Sequence, residues 1–136
     1  MATFNKVDSF QTQVGLGAMN LNTDTLKVYL TNVAPTSATT VFGTPAEIAA
    51  GNGYTATGED VQNGFGANGA VGELTGIDVV WTAAGGTIGP FRYVVLYDDT
   101  TATKHVIGYW DYGSAVTLND TETFTTDFGA TILTIT

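Results

Sequence analysis

Between Leu26 and Thr31 the chain alternates: Leu26, Val28 and Leu30 on one face, Lys27, Tyr29 and Thr31 on the other. That period of two is the mark of a strand, whose successive side chains point to opposite sides. Upstream the spacing is different. Phe4, Val7, Phe10 and Val14 recur at three, three and four, one stripe of about three helical turns. Gly15 and Gly17 close it. Thr12 and the glycines are poor helix formers, so an extended arm is the alternative. Further on, Pro45 to Ala50 reads as one helical turn capped by Thr44, and Tyr54 to Thr57 as a short strand. Gly58 to Gly72 reads as an exposed loop. Strands are predicted over 77–82, 91–97, 104–112, 115–118, 122–128 and 131–135. Val94, Val95 and Leu96 are apolar on both faces, so their strand should be central and covered. Asp98 to Thr103 reads as a hairpin connection and Asn119-Asp120 as a two-residue turn.

Short strands at regular spacing predict a mainly β protein, a β-sandwich of Ig-like or jelly-roll-like kind. Its short N-terminal helix or arm covers residues 1–22, and a single β-sandwich domain covers residues 23–136. Composition agrees. The chain has 136 residues, rich in Thr and with 17 glycines, and branched and planar side chains suit a pleated surface. A hydrophobic fraction of 43% is too high for a disordered acidic tail. No run approaches the length of a membrane span. The opening MATFNKVDSF has no apolar run after Lys6, so no secretory signal is expected.

Charge narrows the choice of partner. Thirteen acids face four bases, for a net charge of −9. Nucleic acid is not an expected partner, because phosphate binding needs clustered Lys and Arg. A membrane is not expected either. Cysteine is absent, which removes disulfides, zinc-thiolate sites and thiol nucleophiles.

Candidate chemistry is sparse. Gly64-Phe65-Gly66-Ala67-Asn68-Gly69 matches G-x-G-x-x-G, but Val71-Gly72-Glu73 follows, not the helix whose N-terminus would hold a pyrophosphate. His105, Asp111 and Ser114 could be drawn as a triad, yet His105 and Asp111 lie ~20 Å apart on one extended strand. Asp98, Asp99, Asp111, Asp120 and Asp127 lack the alternating pattern of a calcium loop and read as solvated turn acids. Trp81, Trp110, Tyr93, Tyr97, Tyr109 and Tyr112 could line a sugar platform, but in alternating strands such residues more often fill a core or an interface. No catalytic residue, cofactor or metal is therefore assigned. Phe4, Val7 and Phe10 are the candidate partner-binding residues; the competing reading is a helix packed on its own domain.

Several segments carry a resemblance. They are Glu47-Ile48-Ala49-Ala50-Gly51-Asn52-Gly53-Tyr54-Thr55, Gly89-Pro90-Phe91-Arg92-Tyr93-Val94-Val95-Leu96-Tyr97-Asp98-Asp99 and Ile107-Gly108-Tyr109-Trp110-Asp111-Tyr112-Gly113-Ser114. Val116-Thr117-Leu118, Phe124-Thr125-Thr126-Asp127-Phe128 and the opening Met1 to Lys6 with Asp24 to Val28 extend it. The chain resembles a group of small virion proteins of tailed bacteriophages over most of its length, except roughly Val61 to Gly72. The resemblance implies a non-enzymatic structural protein. The specific expectation is a capsid decoration (cement) protein on the outer surface of the virion, with the major capsid protein as partner. It also implies a homo-oligomer, a trimer being one candidate. The alternatives are a tail or tail-fibre component and a host-glycan-binding module.

Overall fold

The structure, a computed structural model, describes residues 2–136; Met1 lies outside the described residues. The protein is mainly β, with several antiparallel sheets and one short helix in a β-sandwich-like arrangement. The chain runs β1 (Phe4–Lys6), α1 (Ser9–Gly15), β2 (Leu26–Thr31), β3 (Glu59–Asp60), β4 (Gly64–Asn68) and β5 (Val71–Thr75). It continues through β6 (Val79–Thr82), β7 (Ile88–Asp98), β8 (Val106–Leu118), β9 (Thr123–Thr126) and β10 (Leu133–Ile135). One sheet has the order β1-β8-β7-β2-β3, a second β10-β5-β4, and β6 pairs with β9.

The centre of the large sheet is where the sequence places it. β7 lies between β8 and β2, and Val94, Val95 and Leu96 are wholly buried. Register puts Leu26, Val28 and Leu30 of β2 on one face with Leu96, Val94 and Trp110. Trp110 packs on Phe128, which approaches Gly76 beside Val61 and Ile132. The opposite face does not meet water as simple alternation suggests. Tyr29, Tyr97 and Phe42 form a mutual aromatic cluster there. The Tyr29 and Thr31 hydroxyls donate to the carbonyls of Pro45 and Ala46, at 2.8 and 2.7 Å, and Tyr97 donates to the Thr57 carbonyl. Both faces are covered, one of them by a segment without regular structure.

That segment also closes the open edge of β2. β3 pairs only with Lys27 and Val28. Beyond it the Leu30 N–H donates to the Tyr54 hydroxyl and the Leu30 carbonyl accepts from Ile48 N. At the other end the Leu26 N–H donates to Asn63 Oδ1 and its carbonyl accepts from Val61 N. Each backbone group that β3 leaves over is thus paired without a full-length strand, as a buried edge requires. Gly58, at φ +86°, makes this fit possible, because a Cβ there would strike the Val28 carbonyl.

Five local expectations change. The short strand expected over Tyr54 to Thr57 is only a bridge from Tyr54 to Gly51 followed by a turn, with Thr57 at φ +75°. The predicted N-terminal helix is shorter: residues 4–6 pair with β8, and only Ser9–Gly15 is helical. Pro45 to Ala50 is irregular, not a helical turn, because its carbonyls are engaged by β2 side chains. Much of the loop expected over Gly58 to Gly72 is instead the hairpin β4–β5, turning at Gly69-Ala70 with Gly69 at φ +64°. The strands expected over 104–112 and 115–118 are one long strand, β8, which continues through Gly113 at φ +88°.

Candidate functional site

The three candidate partner-binding residues do not form one exposed stripe. Phe4 is half-buried at the sheet edge, its ring 4.7 Å from that of Trp110. Val7 and Phe10 are 2% and 1% exposed and belong to the hydrophobic core. The cause is the change of geometry at this point. The Val7 N–H donates to the Ile107 carbonyl, so the chain leaves the sheet edge before α1 begins and turns both side chains inward. For Val7 and Phe10 the structure supports the competing reading, packing on the protein's own domain; Val7 lies in the core, and Phe10 reaches the surface only as part of the wall of the groove beside α1.

What the N-terminal segment does expose is a groove. α1 and β10 bound a cavity of about 380 Å³ with Lys6, Val14 and Ile135 in its walls. A second, also of about 380 Å³, shares Val14 and Ile135 and extends to Met19, Leu21 and Phe65. Neither has an Asp or Glu in its lining, although acids outnumber bases thirteen to four in the chain. Leu16, at the end of α1, is 75% exposed. Its signal was present in the sequence: a large apolar residue between Gly15 and Gly17, outside the helical stripe. Among the described residues Lys6 forms no ion pair, whereas the other three cations do.

Those ion pairs serve the scaffold. Arg92 holds Asp111 through both carboxylate oxygens, at 2.8 and 3.1 Å, across β7 and β8. Arg92 keeps the Asp111 carboxyl below its usual range, helped by the Gly113 N–H. Asp111 is therefore engaged by Arg92 and not by His105, whose backbone bridges to Val41. Lys27 and Lys104 both hold Asp99, at 3.3 and 2.9 Å. Glu47 accepts from the Tyr54 hydroxyl at 2.7 Å and from Thr57 N. Burial, above all, raises the Tyr54 phenol far above its ordinary value, so it stays a neutral donor.

The remaining candidates fall on turns, strands and core. Gly64 to Gly69 makes β4 and a tight turn, with β5 and no helix after it, so it offers no helix N-terminus to a phosphate. Asp120 Oδ1 accepts from Gly85 N, and Asp127 Oδ1 accepts from Gly129 N. Asp98 departs from the solvated-acid expectation: it is the last residue of β7 and wholly buried. The aromatics are mostly core. Trp81, Trp110, Tyr93 and Tyr97 are buried, and Tyr109 and Tyr112 half-buried. Phe124 makes edge contacts with both Phe91 and Tyr112.

No helix among the described residues is long and apolar enough to cross a membrane. Comparison of the chain with protein-family models, curated proteins and solved structures gives no match.

Proposed function

We propose that the protein is a non-enzymatic structural component of a tailed-phage virion, a decoration protein bound to the outer surface of the major capsid shell. The observation that supports this reading best is where the phage-like segments fall. Gly89 to Asp99 is the central strand β7, and Ile107 to Leu118 is its neighbour β8. Phe124 to Phe128 carries β9 and the residue that caps Trp110. Glu47 to Thr55 is the segment that seals β2. The resemblance is one of scaffold, and the scaffold engages the titratable side chains of Asp99, Asp111 and Glu47 in its own support.

Binding then rests on surface shape. The groove beside α1 has no Asp or Glu side chain in its walls and has Lys6 in one of them, so a partner there meets less repulsion than over the turn acids of a chain of net charge −9. The same charge keeps the protein off packaged DNA and favours an outward position. Neighbouring copies in a homo-oligomer would need apolar contacts that offset their mutual repulsion.

The test is fractionation of virions into heads and tails, followed by labelling with an antibody to the protein. Label on the outer face of heads is the expected result. Label confined to tails would replace decoration with a tail role. Heads lacking the protein should also lose resistance to heat, regained when purified protein is added back.

A further inference from the structure

The loop from Asn20 to Thr25 meets the hairpin that joins β7 to β8. The Thr25 N–H donates to Thr100 Oγ1 at 2.7 Å, and the Asp99 N–H donates to the Thr25 carbonyl at 2.9 Å. Between the two segments lie two carboxyl groups. Asp98 is wholly buried, and its Oδ1 accepts from the N–H groups of Thr100 and Thr101. Its Oδ2 is buried and meets no protein donor. The group it faces is the carboxyl of Asp24, whose own Oδ2 accepts from Asn20 N at 2.9 Å.

Among the described residues no cation relieves this pair. Lys27 of β2 and Lys104 of the hairpin are both turned onto Asp99. His105 reaches Asp98 through its backbone carbonyl, which accepts from Asp98 N. The Asn63 amide donates to the carbonyls of Leu21 and Asp24, leaving no donor for Asp98. A wholly buried carboxylate that faces a second one cannot be ionised cheaply. A divalent cation would need roughly six to eight oxygen ligands. The nearby oxygens of Asn20, Asn22 and Thr100 already accept backbone N–H groups. One proton completes the site with the atoms present.

We propose that Asp98 keeps a proton on its buried Oδ2 and donates it to Asp24, which latches the Asn20–Thr25 loop to the β7–β8 hairpin, and that losing this proton to solvent releases the loop. Burial first, and Asp24 second, push the Asp98 carboxyl up to about 7. After the proton leaves, Asp98 is charged and its hydrogen bond to Asp24 is lost. Asp24, only half-buried, is the one that can turn to water. Leu21, whose carbonyl shares the Asn63 amide with that of Asp24, is part of the groove wall beside Met19 and Phe65.

The sign follows from the raised value. The folded state binds this proton more tightly than the unfolded chain, so the stabilisation is fully present below the ordinary carboxylate range. It is lost as pH rises through neutrality. The experiment compares wild type with Asp98→Asn, whose amide donates to Asp24 at every pH, by thermal unfolding and amide exchange between about pH 5 and about pH 8. Wild type should lose Tm relative to Asp98→Asn across that window. Its amides at Asn20, Thr100 and Thr101, corrected for intrinsic exchange, should open up to roughly a hundredfold more often at the upper end. Should Asp98→Asn fail to fold, the carboxyl carbon resonance of Asp98 in wild type decides, with a midpoint near neutrality expected. A pH-independent Tm difference, or an Asp98 midpoint in the ordinary carboxylate range, would overturn the latch. So would stoichiometric binding of calcium ion at pH 8 with restored Tm.

Discussion

Single side chains fix this fold where strands leave backbone groups unpaired. Tyr54 is the clearest case, since its hydroxyl accepts from the buried Leu30 N–H and donates to Glu47. Tyr54→Phe keeps the ring and removes both bonds. It strands one buried N–H, so the expected loss is about 1–3 kcal/mol, read from urea unfolding. A change below a few tenths would mean that water replaces the hydroxyl. Val95→Asp should cost more, on the order of 4 kcal/mol, because an unpaired charge enters a wholly buried position on the central strand. The two positions differ in how well the sequence announces them. Val95 stands in an apolar run, and its role follows from the run. Nothing local marks Tyr54 as the cap of Leu30, because the partners are 24 positions apart and joined by tertiary placement. Asp98 is hidden for a similar reason. An acid before a polar turn looks solvated, and only the approach of the Asn20–Thr25 loop buries it.

Elements were legible in proportion to how strongly they alternate. β2 matches its predicted span at both ends because Leu26 to Thr31 has an unbroken period and lies against β7 along its whole length. The hairpin β4–β5 is not legible in the sequence because Gly64, Gly66, Ala67, Ala70 and Gly72 carry almost no periodic apolar signal. Its order comes from pairing with β10 and from Leu74, which is buried. The N-terminal segment shows the opposite failure. Its spacing is helical, yet Phe4 to Lys6 is a strand because the edge of β8 offers partners that an isolated helix end lacks. This division makes a prediction about the element. Phe10→Ala should cost about 3–5 kcal/mol, as expected for a fully buried aromatic ring. Phe4→Ala should cost only about 1–2 kcal/mol, because it loses part of one exposed-edge aromatic contact with Trp110. Chemical denaturation of the two single variants gives the comparison. Equal costs would mean that β1 and α1 unfold as one unit.

At the scale of the whole molecule, net charge sets the conditions under which the fold is held. Among the described residues three ion pairs use three of the four Lys and Arg side chains, and two of the pairs converge on Asp99. Pairs this exposed contribute roughly 0–1 kcal/mol each, and salt weakens them. Against them stands the mutual repulsion of a chain of net charge −9, which salt also weakens. The pairs are local contacts, whereas the repulsion is summed over the charge of the whole chain. Screening should therefore remove more repulsion than attraction. Thermal unfolding at neutral pH should shift upward by a few degrees between about 20 and 500 mM sodium chloride. A downward shift would mean that the Asp99 and Arg92–Asp111 pairs outweigh the field of the remaining acids. The same screening should ease the approach of any second copy or acidic partner to the groove beside α1. Added salt should then strengthen association at that face. A contact built on Lys6 meeting a partner's carboxylate would weaken instead, so the salt dependence of binding separates the two.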